Sequence, residues 1–226
     1  MFTVSPSIYS ADLLDLKTVL DKAKGFEHLH LDIDDGNFVK GISFGGEMVR
    51  RIAAYTDIPL DVHLEVLNPL DYIDDLTAVG VKLICAHIEV LPYPSLFLSK
   101  VRNSSVKAGL ALNLKTPAEA IEPYIDQLDH LLFVSTEADD DGLIFRKSVL
   151  NKVRKARKLL PDHIPIWVDG GINEENLKDV VEAGADGVVI GRAVFGAEDF
   201  KAAYDHFIRL GRNYEIKTKG EESDVI

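Results

Sequence analysis

Eight short β-rich runs, each followed by a longer stretch of helical periodicity, alternate along this 226-residue chain. The runs lie at 3–8, 28–33, 60–64, 82–86, 107–112, 130–134, 166–168 and 187–190. Helical patterns occupy 13–24, 46–54, 70–79, 94–102, 117–124, 145–160, 174–183 and 197–210. Strict alternation of this kind predicts crossover connections and a parallel sheet, and eight units predict an α/β fold closed as a (β/α)8 TIM barrel. The punctuation fits that register. Asn173 before Glu174 and Glu175 reads as an N-cap with acids facing the helix dipole, and Gly80 and Gly184 suit positions just past helix ends. Thr116-Pro117 reads as an N-cap followed by proline at the first helical position. With no linker or repeat array in view, one barrel domain is expected over 1–211, followed by a polar, frayed tail over 212–226.

Composition narrows the function classes. A hydrophobic content of 46% is enough for a substantial core, and no apolar run approaches the ~20 residues of a membrane span. The start lacks a basic segment followed by an apolar one, so no signal peptide is expected. The one cysteine, Cys85, excludes an internal disulfide and suits a reducing cytoplasm; within Leu83-Ile84-Cys85-Ala86 it reads as a buried small hydrophobe. A formal charge of −12 argues against a nucleic-acid-binding surface. The basic residues from Arg146 to Lys158 have helical spacing and read as a solvated helix face, and His130, His163 and His206 read as solvated too. A small molecule is therefore the expected partner, with neither nucleic acid nor membrane.

In such a barrel, chemistry sits at the carboxyl ends of the strands. His30 and Asp32 are two residues apart on one run and so share a face. His63 ends the third run, and Asp169 follows the seventh, just before Gly170-Gly171. Two imidazoles and two carboxylates make a borderline-to-hard ligand set for one divalent ion, Zn²⁺ being the first expectation and Fe²⁺, Mn²⁺ or Co²⁺ also accommodated. His87, at the end of the fourth run, reads either as a structural histidine or as a supporting group that reaches the site.

Several motifs in one order resemble the ribulose-phosphate 3-epimerases. They are Pro6-Ser7-Ile8-Tyr9-Ser10-Ala11-Asp12, the segment from His30-Leu31-Asp32 through Val39, and Asp61-Val62-His63-Leu64. Lys107 through Asn113 with Thr116-Pro117, and Val168-Asp169-Gly170-Gly171, complete the set, which spans Pro6 to Phe195. The resemblance implies a barrel epimerase that inverts the carbon α to the ketone of a ketose phosphate through a metal-stabilised enediolate. It implies His30, Asp32, His63 and Asp169 as ligands, Asp32 and Asp169 as the acid/base pair, and Ser7, His63, Gly170 and Gly171 as substrate contacts. It also implies a homo-oligomer.

The pattern breaks in two places. Where the family carries a glycine-rich phosphate loop, this chain reads Ser135-Thr136-Glu137-Ala138-Asp139-Asp140-Asp141-Gly142-Leu143, with four carboxylates and one glycine. Such a loop repels a phosphate dianion unless its acids point away. Where the family has methionines over the reacting atoms, the matching positions are Asp34, Glu65, and Phe133 or Val134. Asp34 and Glu65 could accept hydrogen bonds from sugar hydroxyls, or face solvent. Gly191 and Arg192, after the eighth run, offer backbone N–H groups and a guanidinium to an anion, or Arg192 pairs with the acidic loop. Asn37, in the turn leaving the second run, is a candidate substrate contact. Two alternatives stand beside the main reading: an epimerase of an unphosphorylated or differently charged ketose, and a non-catalytic sugar- or metal-binding barrel.

Overall fold

The computed structural model describes residues 1–137 and 144–223. Its strands are β1 (Thr3–Pro6), β2 (Leu29–Asp34), β3 (Leu60–Glu65), β4 (Leu83–His87), β5 (Lys107–Leu112), β6 (His130–Val134), β7 (Ile166–Asp169) and β8 (Gly187–Ile190). All neighbours pair in parallel, in the order β1-β8-β7-β6-β5-β4-β3-β2. Between β2 and β1 the ring is nearly closed, through a single parallel bridge from Ser7 to His30. The fold is the (β/α)8 barrel that the alternation predicts.

Helices α1 (Leu16–Lys22), α2 (Gly46–Tyr55), α3 (Ile73–Ala78), α4 (Pro94–Arg102), α5 (Val149–Leu159), α6 (Glu174–Glu182), α7 (Arg192–Phe195) and α8 (Phe200–Ser223) belong to the connections and the chain's end. Residues such as Val153, Ala156, Leu177 and Val180 bury one helical face against outward-facing strand residues. Inside the barrel a smaller apolar cluster of Leu83, Cys85, Ala111, Leu132, Trp167 and Val189 fills the middle. Glycines make room for it: a Cβ on Gly109 would come within 2.1 Å of the Cys85 sulfur, and one on Gly187 within 2.5 Å of the Trp167 Nε1. Cys85 is free and buried.

The helix ends follow local chemistry. Asn173 accepts hydrogen bonds from the N–H groups of Glu175 and Asn176, while the Asn173 N–H donates to the Asn176 side-chain oxygen, a closed capping box. Gly80 and Gly184 take φ of +81° and +101°, the left-handed turn that ends a helix.

Four expectations are corrected. The stretch at 117–124 is a 3₁₀ helix, Ala118–Gln127, with Pro117 as its cap; Pro123 inside it has no N–H for an i→i−4 ladder. The Thr116 hydroxyl bonds to Glu89 instead of capping. The stretch from Arg212 is helical to Ser223 and is not a frayed tail. It is tied down because Arg212 bonds to Glu27 at 2.6 and 2.8 Å and to the Phe2 carbonyl, while Glu215 accepts the Phe2 N–H at 2.8 Å. The basic face of α5 is not wholly solvated: Lys152 turns inward, 2.6 Å from the Asn113 carbonyl and 5.0 Å over the Phe133 ring, where burial lowers its pKa to about 8. Finally, His130 is buried in β6 and stacked edge-on against Trp167, because it starts an inward-facing strand. His163 is exposed in a turn, and His206 pairs with Glu174 at 2.9 Å.

Candidate active site

Strand alternation and register build the site in layers. On β2 and β3 the paired positions are His30 with Asp61, Asp32 with His63, and Asp34 with Glu65, each one step nearer the carboxyl end. All six side chains face inward. Asp169 ends β7, and the Ser43 hydroxyl bonds the Asp32 carbonyl and the Asp34 N–H, fixing the end of β2. The chain then turns at Gly170 and Gly171, at φ of +102° and +65°, conformations in which a side chain is strained. That turn is held by Ser135, whose hydroxyl bonds the carbonyls of Asp169 and Gly170, and by Asn176, whose amide bonds the Gly171 carbonyl.

The structure brings His30, Asp32, His63 and Asp169 together, with their candidate ligand atoms all within 4.8 Å of one another. The His30 Nε2 lies 3.0 Å from Asp32 Oδ1 and 3.7 Å from Asp169 Oδ2; the His63 Nδ1 lies 3.4 and 3.7 Å from the same oxygens. Donors about 2.1 Å from a shared tetrahedral centre stand about 3.4 Å apart, so these separations suit one ion. His63 Nδ1 is moreover buried with no hydrogen-bond partner, an orphan that a metal would satisfy. The residues fit a divalent cation.

Electrostatics agree. Burial opposes charge on both imidazoles, yet Asp32 and Asp61 raise His30 well above the usual histidine range, and Glu65, Asp169 and Asp32 push His63 up to about 10. The site thus attracts positive charge, which a divalent ion supplies while displacing protons. The two carboxylates are driven apart. Burial works against ionisation of Asp32, but His30 and then His63 hold it well below the usual carboxylate range. Asp169 is pushed up, by burial first and by the charge of Asp32.

The other candidates are placed as follows. Ser7 donates a 2.6 Å hydrogen bond to Asp32 Oδ2 and lines a cavity of about 520 Å³ above the cluster. Asp34, Glu65, Gly170, Gly171, Gly191 and Arg192 line it too. Val134 rather than Phe133 faces this space. Burial, then Glu65 and Asp32, push Asp34 up to about 8, while burial of Glu65 is outweighed by His63 and His87, which lower it. Three candidates do not line the cavity. His63, expected as a substrate contact, is buried within the cluster beneath it. Asn37 is exposed, with its amide on the Asp35 carbonyl, and His87 is fully buried behind His63. Most of the acidic loop, from Ala138 to Leu143, lies outside the described residues.

Residue-by-residue reading missed Asp61, which accepts hydrogen bonds from the His30 Nδ1 and, at 2.6 Å, from the Ser5 hydroxyl. It also missed Glu89, which faces His87 Nδ1 at 3.2 Å. Asp61 stands two positions before His63 on β3, where period-two alternation points to it, whereas Glu89 lies past the end of β4 in a 3₁₀ turn, Ile88–Val90, that alternation does not reach.

Comparison with known proteins adds the following. Residues 3–195 match the model of the Ribulose-phosphate 3 epimerase family. The chain is 36% identical over 209 residues to ribulose-phosphate 3-epimerase of Bacillus subtilis (strain 168), covering 90% of this chain and 96% of that one. It is 35% identical over 207 residues to the chloroplastic ribulose-5-phosphate-3-epimerase of Arabidopsis thaliana, covering 88% and 74%. Among solved structures, orotidine 5'-phosphate decarboxylase from Pyrococcus horikoshii OT3 superposes with a TM-score of 0.66 at 15% identity, over 93% of this chain and 99% of that one. N-(5'-phosphoribosyl)anthranilate isomerase from Pyrococcus furiosus gives 0.65 at 18%, over 94% and 100%. At such identities the two structures speak for the barrel alone.

Proposed function

The chain belongs to the ribulose-phosphate 3 epimerase family, and on that premise we propose that it inverts the carbon α to the ketone of a ketose phosphate, with ribulose 5-phosphate the first substrate to test. It is a carbohydrate epimerase, hence an isomerase. A proton next to a ketone is weakly acidic, and its loss leaves negative charge on the oxygens. A divalent ion held by His30, Asp32, His63 and Asp169 supplies Lewis-acid stabilisation of that charge when bound; Zn²⁺ is our first expectation, ahead of Fe²⁺, Mn²⁺ and Co²⁺.

The chain's own residues move the proton. Asp32, held toward its ionised form, removes it from one face, and Asp169, whose proton affinity is raised, returns one to the other; in the reverse direction they exchange roles. Ser7 holds the Asp32 carboxylate in place. We assign Gly170, Gly171, Gly191 and Arg192, on the β7–β8 side of the cavity, to the anionic end of the substrate. The reading is carried by two carboxylates, Asp32 and Asp169, that face the same pair of histidines at the floor of one cavity. Asp32→Asn and Asp169→Asn should each cut turnover by ~10²–10⁴, followed as deuterium entry at C3 in D₂O. Near-normal exchange in either variant overturns the roles.

Asp34 favours a second reading. Its Oδ1 is buried without a hydrogen-bond partner, beside Glu65, so this side of the cavity suits hydroxyl donors rather than added negative charge. An unphosphorylated ketose fits it. Comparing kcat/KM for ribulose 5-phosphate and the free ketose decides, since a strong preference for the phosphate removes the second reading. A cytoplasmic location and a homo-oligomer complete the proposal; no helix among the described residues is long and apolar enough to cross a membrane.

A further inference from the structure

We propose that His87 and Glu89 are positioning residues that set the tautomer and ring orientation of His63, so that its Nδ1 lone pair faces the four-residue cluster. The inference rests on reading that cluster as a metal site. His63 Nε2 and His87 Nε2 lie 2.9 Å apart, and two ring nitrogens bond only when one carries the hydrogen and the other a lone pair. The far end of the chain of contacts decides which. Glu89 Oε1 accepts the Asn113 N–H at 2.8 Å and the Thr116 hydroxyl, and Glu89 Oε2 faces His87 Nδ1 at 3.2 Å. An ionised carboxylate only accepts, so His87 Nδ1 is the donor. Neutral His87 then has only a lone pair at Nε2, and His63 Nε2 must donate to it. Once His63 gives up the proton that the nearby carboxylates favour, its Nδ1 keeps a lone pair aimed at Asp32 and Asp169.

The surroundings hold this polarity. His87 is fully buried, so water does not take its place, and its ring lies between those of His63 at 4.9 Å and Phe38 at 4.7 Å. The competing acceptor, Glu65 Oε1, is 3.6 Å from His87 Nε2, beyond hydrogen-bond reach. His30 reaches the same end by a shorter route, its Nδ1 on Asp61 and its Nε2 toward the cluster. Each imidazole thus has a carboxylate behind it, directly for His30 and through a second imidazole for His63.

Co²⁺ and Zn²⁺ affinities, measured by competition with a chromophoric chelator, test this without any substrate. His87→Phe should weaken binding about 10–100-fold and alter the visible Co²⁺ spectrum. His87→Gln, whose amide oxygen can accept from His63 and whose NH₂ can donate to Glu89, should restore most of the affinity. Glu89→Gln keeps the volume but no longer dictates the direction, and should fall between; it decides the matter if His87→Phe does not fold. Long-range ¹H–¹⁵N spectra of the Zn²⁺-loaded wild type should show His63 protonated at Nε2. Unchanged affinity and Co²⁺ spectrum in Glu89→Gln and any folded His87→Phe, or a proton at His63 Nδ1 in the loaded protein, overturns the inference alone. Failure of the wild type to bind either ion overturns the metal-site reading with it, whereas failure to turn over ketoses with metal bound leaves this inference standing and strikes only the proposed reaction.

Discussion

Asp32 and Asp169 are the same side chain in two environments, and the difference lies in what surrounds each. Asp32 has the Ser7 hydroxyl at 2.6 Å and His30 at 3.0 Å, whereas burial dominates at Asp169. Removing the Ser7 hydroxyl should therefore raise the proton affinity of Asp32. In Ser7→Ala the acid limb of the kcat/KM–pH profile should move to higher pH, and an unmoved limb would show that this bond does not set the base. Chelation should abolish turnover and lower Tm, with Zn²⁺, Mn²⁺ or Co²⁺ restoring both; a chelator-treated enzyme that stays active would refute the metal reading. At this scale the sequence was readable wherever alternation alone suffices. His30 and Asp32 share a face by spacing, but His63 meeting Asp32, and Asp61 standing behind His30, depend on the β2–β3 register. Two strands' register is a tertiary fact, set by packing that no single run encodes.

Elements carry these side chains and set how firmly they are held. The α6 capping box begins two residues after the Gly170-Gly171 turn, and Asn176 bonds the Gly171 carbonyl. Asn173→Ala should cost about 1 kcal/mol of stability, seen as a lower urea midpoint. A loss below a few tenths would mean that the second half of the box compensates. Gly109 lies deeper, and its replacement by alanine would drive a methyl into Cys85 and the His130 backbone. We expect at least ~1–3 kcal/mol of destabilisation from overpacking, measured the same way; a neutral result would mean that β5 shifts freely. Strand positions were legible because β-rich runs are bounded by Gly, Pro and polar residues. Helix character was less so. Pro123 turned an expected α-helix into a 3₁₀ segment, and the inward bend of Lys152 depends on the Asn113 carbonyl, which only the fold brings near.

The whole barrel responds to pH through groups that folding keeps from protonating. His130, fully enclosed beside Trp167, has its pKa lowered by burial from 6.5 to about 3. Between those values the unfolded chain binds a proton that the folded one does not, so stability falls as pH drops from 6.5 toward 3, by up to about 1.4 kcal/mol per pH unit. Glu89 behaves likewise lower down: burial would raise it, but His87 and Thr116 hold it at about 2, so its contribution is lost from 4.5 downward. His130→Phe should flatten the upper part of this acid loss in urea titrations run at successive pH values, and a parallel curve would refute the assignment. The fold class was legible at this scale because eight repeats of one unit leave little choice of architecture. The long last helix was not, since 212–223 lack apolar periodicity and are fixed instead by Glu27 and the backbone of Phe2.

Biosynthesis meets this barrel at its seam. The partner of β1 on one side is β8, with Thr3 beside Gly187 and Pro6 beside Ile190. A ribosome adding 5–20 residues per second makes Thr3 on the order of ten to forty seconds before Gly187 exists. Throughout that interval the nascent sheet has an open edge at β1, the kind of edge that templates aggregation. Holdase chaperones that cover this edge, and translation pauses between the codons for β7 and β8, are therefore expected to govern how much protein a cell recovers while leaving the finished enzyme unchanged. The strand that leads to Ser7 is made long before the strand that pairs with it along its length.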